Sequence, residues 1–137
     1  MGTKPAKEEV FFYKKVIKVP IFYGNFVIIF SNNETAIKKV TKFTGNLEEF
    51  AYTFTNFLCR GKESIAVVFN FWTPEPVTIG TIIHEVNHAG NRLMQSRNAN
   101  PDFENDEMES YIKAWMGEEI EKFMIECKLL ERPDKKN

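Results

Sequence analysis

Histidine is nearly absent from this sequence, with two residues in 137, His84 and His88. Cysteine is equally scarce. Cys59 and Cys127 stand far apart and in no Cys-x-x-Cys spacing, so neither a zinc knuckle nor a redox motif is suggested, and both read as buried free thiols. No apolar run approaches the roughly 20 residues that span a bilayer, and the stretch Met1 to Glu9 lacks the apolar core of a secretory signal. A cytoplasmic location is expected. Met1-Gly2 is not read as a lipidation site, because position 6 is Ala6 rather than serine or threonine. Neither sign of charge dominates: 18 Lys and Arg face 19 Asp and Glu, for a net charge of −1 and a pI near 6.2. That balance gives no global attraction to nucleic acid or to anionic membrane, so neither is expected as a partner. Repeats, low-complexity tracts and Ser/Gly linkers are also missing, so residues 1–137 are expected to form one domain, with flexible polar ends at 1–8 and 131–137.

What is present is ample material for a core: 43% hydrophobic residues and 14% aromatic, including 13 phenylalanines of which most precede position 73. The first half should therefore supply sheet faces and the second half helices. Val10 to Val19 is rich in β-branched and aromatic residues and predicts a strand. Gly24-Asn25 leads into Phe26-Val27-Ile28-Ile29-Phe30, a run expected to be buried on both faces. Asn32-Asn33-Glu34 offers a cap for a short helix over Ala36 to Phe43, ended by Gly45-Asn46. Residues 49–58 favour a strand over a short helix. Arg60-Gly61-Lys62-Glu63 is a polar turn into the clearest strand, Ile65 to Trp72, so the pair predicts a hairpin. A helix is expected from Thr78 to about residue 95, its apolar run containing Ile82, Ile83, Val86 and Ala89. After turn chemistry at 96–103, a long helix from Glu104 to about Lys128 is predicted from Met108, Ile112, Trp115, Ile120, Phe123, Met124 and Cys127. Gly117 weakens that helix by about 1 kcal/mol relative to alanine and marks close packing or a bend.

Both histidines are spent in His84-Glu85-Val86-Asn87-His88. Residues four apart on a helix lie above one another, so the two imidazoles can direct ring nitrogens at one metal ion about 2 Å from each. Glu85 then stands beside that ion as a general base for bound water, which is the mechanical content of H-E-x-x-H. A catalytic zinc site normally has three protein ligands. With Asn91 and Met94 where a third histidine would follow, a downstream carboxylate must serve, from Glu104, Asp106, Glu107 or Glu109. Glu107 shares a helix side with the small residues Ser110 and Ala114, which would allow close approach to the histidine helix; it is the first choice and Glu109 the second.

The motif followed by Asn105-Asp106-Glu107-Met108-Glu109-Ser110-Tyr111 resembles the zincin metallopeptidases with a glutamate third ligand, most of all the short single-domain members that bacteriophages and mobile elements often encode. The likeness spans about residues 78–117. It implies a small α+β zincin-like domain, with an N-terminal, mostly antiparallel or mixed sheet and a short helix, then an active-site helix and a long C-terminal helix. It implies one Zn2+ per chain on His84, His88 and Glu107, with Glu85 as general base. The activity so implied is hydrolysis of peptide (amide) bonds in a peptide or protein substrate, with Glu85 activating a zinc-bound water. The alternative is a catalytically silent zincin-like binding or virion-associated structural module. The chain departs from the larger glutamate zincins in having no further histidine for the oxyanion, so that role would pass to another group, with Tyr111 a weak candidate, or to the metal alone. The strand 65–72, if at the sheet edge, could align a peptide by strand addition. Asn70 and Asn87 are candidate contacts for a substrate backbone, while Trp72 and Trp115 read as core and the Lys14-Lys15 and Lys38-Lys39 pairs as solvated faces.

Overall fold

The computed structural model describes residues 10–22, 24–42, 51–71, 77–97, 99 and 107–129. The domain is α+β: a mixed four-stranded sheet with helices, ending in a long helix. Strands β1 (Phe12–Lys18), β2 (Asn25–Ser31), β3 (Ala51–Cys59) and β4 (Lys62–Asn70) lie in the order β1-β2-β4-β3. β1 pairs antiparallel with β2, and β3 antiparallel with β4, so two hairpin-like pairs meet along a parallel β2–β4 seam that sets Phe26 opposite Ile65 and Phe30 opposite Phe69.

The two inner strands are buried along nearly their whole length, because both sheet faces are covered. Alternation then splits their side chains. Phe26, Ile28 and Phe30 of β2 and Ile65, Val67 and Phe69 of β4 enter the larger core, while Val27, Ile29, Ala66 and Val68 enter the smaller core on the other face with Ile37. The unbroken apolar run Phe26–Phe30 follows from this two-sided cover.

Helix α1 (Glu34–Thr41) covers the smaller core through Ile37. Asn33 caps it by accepting from the Ala36 amide at 3.2 Å, and Lys42 in a left-handed conformation ends it. The expected continuation to Phe43 and the stop at Gly45-Asn46 lie outside the described residues. The β3–β4 connection is the two-residue turn Arg60-Gly61, with φ of 55° and 77°. Positive φ at both positions matches the right-handed twist of a tight hairpin, and the glycine meets that requirement without strain. Gly24 also needs to be glycine, since its φ is +106° and a side chain there would run into the Glu63 carbonyl oxygen.

The larger core is closed by α2 (Ile79–Ser96) and α3 (Glu107–Glu126). α2 contributes Ile82, Val86, Ala89 and Leu93; α3 contributes Ile112, Met116, Ile120, Phe123 and Met124. Phe123 stacks on Phe30 at 5.0 Å between ring centroids, and Trp115 lies against Phe26 at 5.6 Å, in keeping with its reading as a core residue. Three expectations need correction. Ile83 is 60% exposed and Met108 43% exposed, whereas Met116 is fully buried. Helical period defines an arc of candidate positions, and the neighbouring elements decide which part of the arc is covered. Gly117 does not mark close packing: α3 runs through it, and among the described residues nothing outside its own stretch of helix lies within 4 Å of the place a Cβ would take. Third, β4 is no edge strand, because β2 and β3 occupy its two sides. Among the described residues, no helix is long and apolar enough to cross a membrane. Trp72, the turn residues 100–103, the helix start at Glu104 and the polar ends 1–8 and 131–137 lie outside the described residues.

Candidate metal and catalytic site

α2 begins where the sequence predicts. The Thr78 hydroxyl accepts from the Thr81 amide at 3.2 Å, satisfying one of the free donors of the first turn. From that start, each further residue turns the side-chain direction by about 100°. Val86, Ala89 and Leu93 face the sheet, and His84 and His88 therefore emerge on the far, solvent-exposed side.

The two imidazoles converge there. Their Nε2 atoms are 3.2 Å apart, with the ring planes at 83°. A neutral pair closes this distance when one ring N–H donates to the bare nitrogen of the other. A divalent ion closes it by accepting both lone pairs. With zinc–nitrogen bonds of about 2.0–2.1 Å, nitrogens this far apart subtend roughly 100–106° at the ion, close to the tetrahedral angle. The pair thus fits two positions of a zinc site.

Glu85 turns towards β3. It is 6% exposed, and the Thr53 hydroxyl donates to its Oε1 at 2.5 Å while standing 3.5 Å from its main-chain oxygen. β3 is the terminal strand on this side of the sheet, so the acid lies between the histidine helix and a sheet edge. The sequence reading does not find Thr53. Its one signal is a small polar side chain between Tyr52 and Phe54, which does not point to a partner 32 residues away.

On the opposite flank Lys113 joins α3 to α2. Its ammonium group donates to Asn87 Oδ1 at 2.8 Å and forms an ion pair with Glu109, and its aliphatic stem packs where Gly90 leaves room. A Cβ at Gly90 would stand 2.6 Å from Lys113 Cγ, so a glycine is what permits this contact. Asn87, read as a substrate contact, is engaged by Lys113, and Asn70 is buried at the end of β4.

Glu107 is exposed in the first turn of α3, and Ser110, Tyr111 and Ala114 on its side of the helix are exposed too. The close approach of α3 to α2 is made by Lys113 over Gly90 rather than by Ser110. Among the described residues, no three His, Cys, Asp or Glu side chains gather into one metal-sized cluster. Of the four candidate carboxylates, Glu104 and Asp106 lie outside the described residues.

Between the first half of α2 and the middle of α3 opens a cleft of 520 Å3, lined by Ile79, Ile83, Asn87, Ala114, Gly117 and Met124 among others. That size falls within the roughly 300–1,000 Å3 range of small-ligand pockets. Ile83 and Asn87 directly precede the two histidines in sequence, but neither histidine is in the lining of the cleft. The free thiols do not compete for the chemistry: Cys59 is buried, and burial pushes the Cys127 thiol above its usual range, with Glu126 adding to the rise and Lys15 opposing it. A thiol held protonated is a poor nucleophile at neutral pH. No family model, curated protein or solved structure matches the chain.

Proposed function

We propose that this chain is a zinc-dependent hydrolase of peptide bonds, a reading carried by the convergence of His84 and His88 Nε2 at 3.2 Å beside a buried glutamate. His84 and His88 hold the ion, and Glu107 is assigned the third position. Glu109 is the weaker candidate because Lys113 already occupies its carboxylate. A zinc ion bound there supplies Lewis-acid polarisation of a carbonyl and a lowered pKa for water. Glu85 takes a proton from the attacking water and returns it to the departing amine. Since β4 has both sides paired, an extended substrate cannot add to it; β3, the last strand of the sheet among the described residues and in contact with Glu85, is the backbone template.

The test is elemental analysis of purified protein after zinc loading and removal of excess metal, joined to hydrolysis of an unstructured casein substrate. About one zinc per chain is expected, lost in His88→Ala and weakened in Glu107→Gln. Glu85→Gln should keep zinc and lose hydrolysis. A parent chain that takes up no zinc sinks the reading. Zinc retained with no hydrolysis that Glu85→Gln abolishes favours the silent binding module.

A further inference from the structure

We infer that Thr53 is the positioning residue for Glu85, an inference that rests on the hydrolase reading and assigns β3 a part in it. Glu85 is fixed at one end by α2, and a glutamate side chain has three further rotatable bonds with which to swing its carboxylate. Burial alone does not choose among those positions. The Thr53 hydroxyl does, by donating to Oε1 at 2.5 Å. Thr53 has one hydrogen to give, and the 2.5 Å contact to the carboxyl oxygen claims it over the 3.5 Å contact to the Glu85 main-chain oxygen.

The donor is itself well held. Threonine is branched at Cβ and stiff about its first torsion. On β3 it pairs with Val67 of β4, which is fully buried in the centre of the sheet. The carboxylate is therefore referenced to the rigid part of the fold. With Oε1 taken by Thr53, the second oxygen is the one that remains to accept a proton from water. Thr53 does not touch the reacting atoms; it decides which oxygen of Glu85 meets them.

Cobalt(II) provides a readout that does not depend on turnover. Added in place of zinc, it absorbs visible light with a band that responds to groups bonded to its water. The parent, Thr53→Val, Thr53→Ser, Glu85→Gln and the Thr53→Val/Glu85→Gln pair would be titrated with cobalt, with circular dichroism and thermal unfolding to confirm folding. The expected result is a band shifted in the same direction by Thr53→Val and Glu85→Gln, restored in Thr53→Ser, and no further shifted by Thr53→Val once Glu85→Gln is present. In the hydrolysis assay, Thr53→Val should lower kcat by about 10- to 100-fold with KM little changed, as for other groups that orient a metal site from behind. A band moved by Glu85→Gln but not by Thr53→Val overturns the inference and leaves the hydrolase reading standing. Absence of any band in the parent overturns both. Should Thr53→Val fail to fold, Thr53→Ala is its substitute, and a band that matches the parent in Thr53→Ala overturns the inference equally.

Discussion

Within one turn of α2, neighbouring residues live under opposite conditions. Glu85 is sealed between α2 and β3 with a hydroxyl donor on its carboxylate, whereas His84 and His88, about 100° and 60° round the same helix from it, stand in solvent. The fold has a use for the first arrangement, since a buried carboxylate without a donor would be costly. It has none for the second: an exposed imidazole closes no core and caps no helix here. A 3.2 Å approach of the two ring nitrogens is what either a ring-to-ring hydrogen bond or a shared ion would produce, and only the second calls for a ligand.

Five substitutions would break or sharpen that contrast. The largest effect belongs to the sheet-facing side. Leu93 is fully buried, and Leu93→Ala should cost about 2–5 kcal/mol in chemical denaturation. Next comes the flank facing β3, where Glu85→Ala leaves the Thr53 hydroxyl without its acceptor and should cost about 1–3 kcal/mol by the same measurement. If Glu85→Ala were neutral, the buried pair would not be a constraint of the fold. On α3, Gly117→Ala should raise stability by about 1 kcal/mol, because alanine is the better helix former and nothing blocks the added methyl. Smallest is the exposed side: in metal-free protein His84→Ala and His88→Ala should each shift stability by no more than about 0.5 kcal/mol. The parent should gain thermal stability on adding zinc, while these variants should not. A histidine variant that unfolds the metal-free protein would move the pair from binding to structure.

Local features of this fold are legible in the chain. The run Phe26–Phe30 announces a strand covered on both faces, Arg60-Gly61 a tight hairpin, and Thr78 the first turn of α2, all from residues adjacent in sequence. What the chain does not disclose is pairing at a distance. Ile65 to Phe71 reads equally well as an edge or a centre, and only the parallel partner β2 decides it. Thr53 carries no mark of its contact with Glu85, because that contact depends on where β3 lies against α2. Ile83 belongs to the same helical arc as Ile82 and Val86, yet α3 covers the arc unevenly and leaves Ile83 open to the cleft. The third carboxylate is in the same position: spacing along α3 nominates several, and distance to the pair is a property of the assembled helices.

The seam between β2 and β4 has a kinetic consequence. Each hairpin-like pair closes over short stretches of chain and can form in microseconds, but setting Phe26 beside Ile65 requires the segment between them to be gathered first. Loop-closure entropy then opposes assembly until the seam is made. The docking of two preformed halves should therefore limit the folding rate. Trimming Ile28 or Val67 at the seam would slow refolding, whereas changes in the Arg60-Gly61 turn would act mainly on how fast one half is ready.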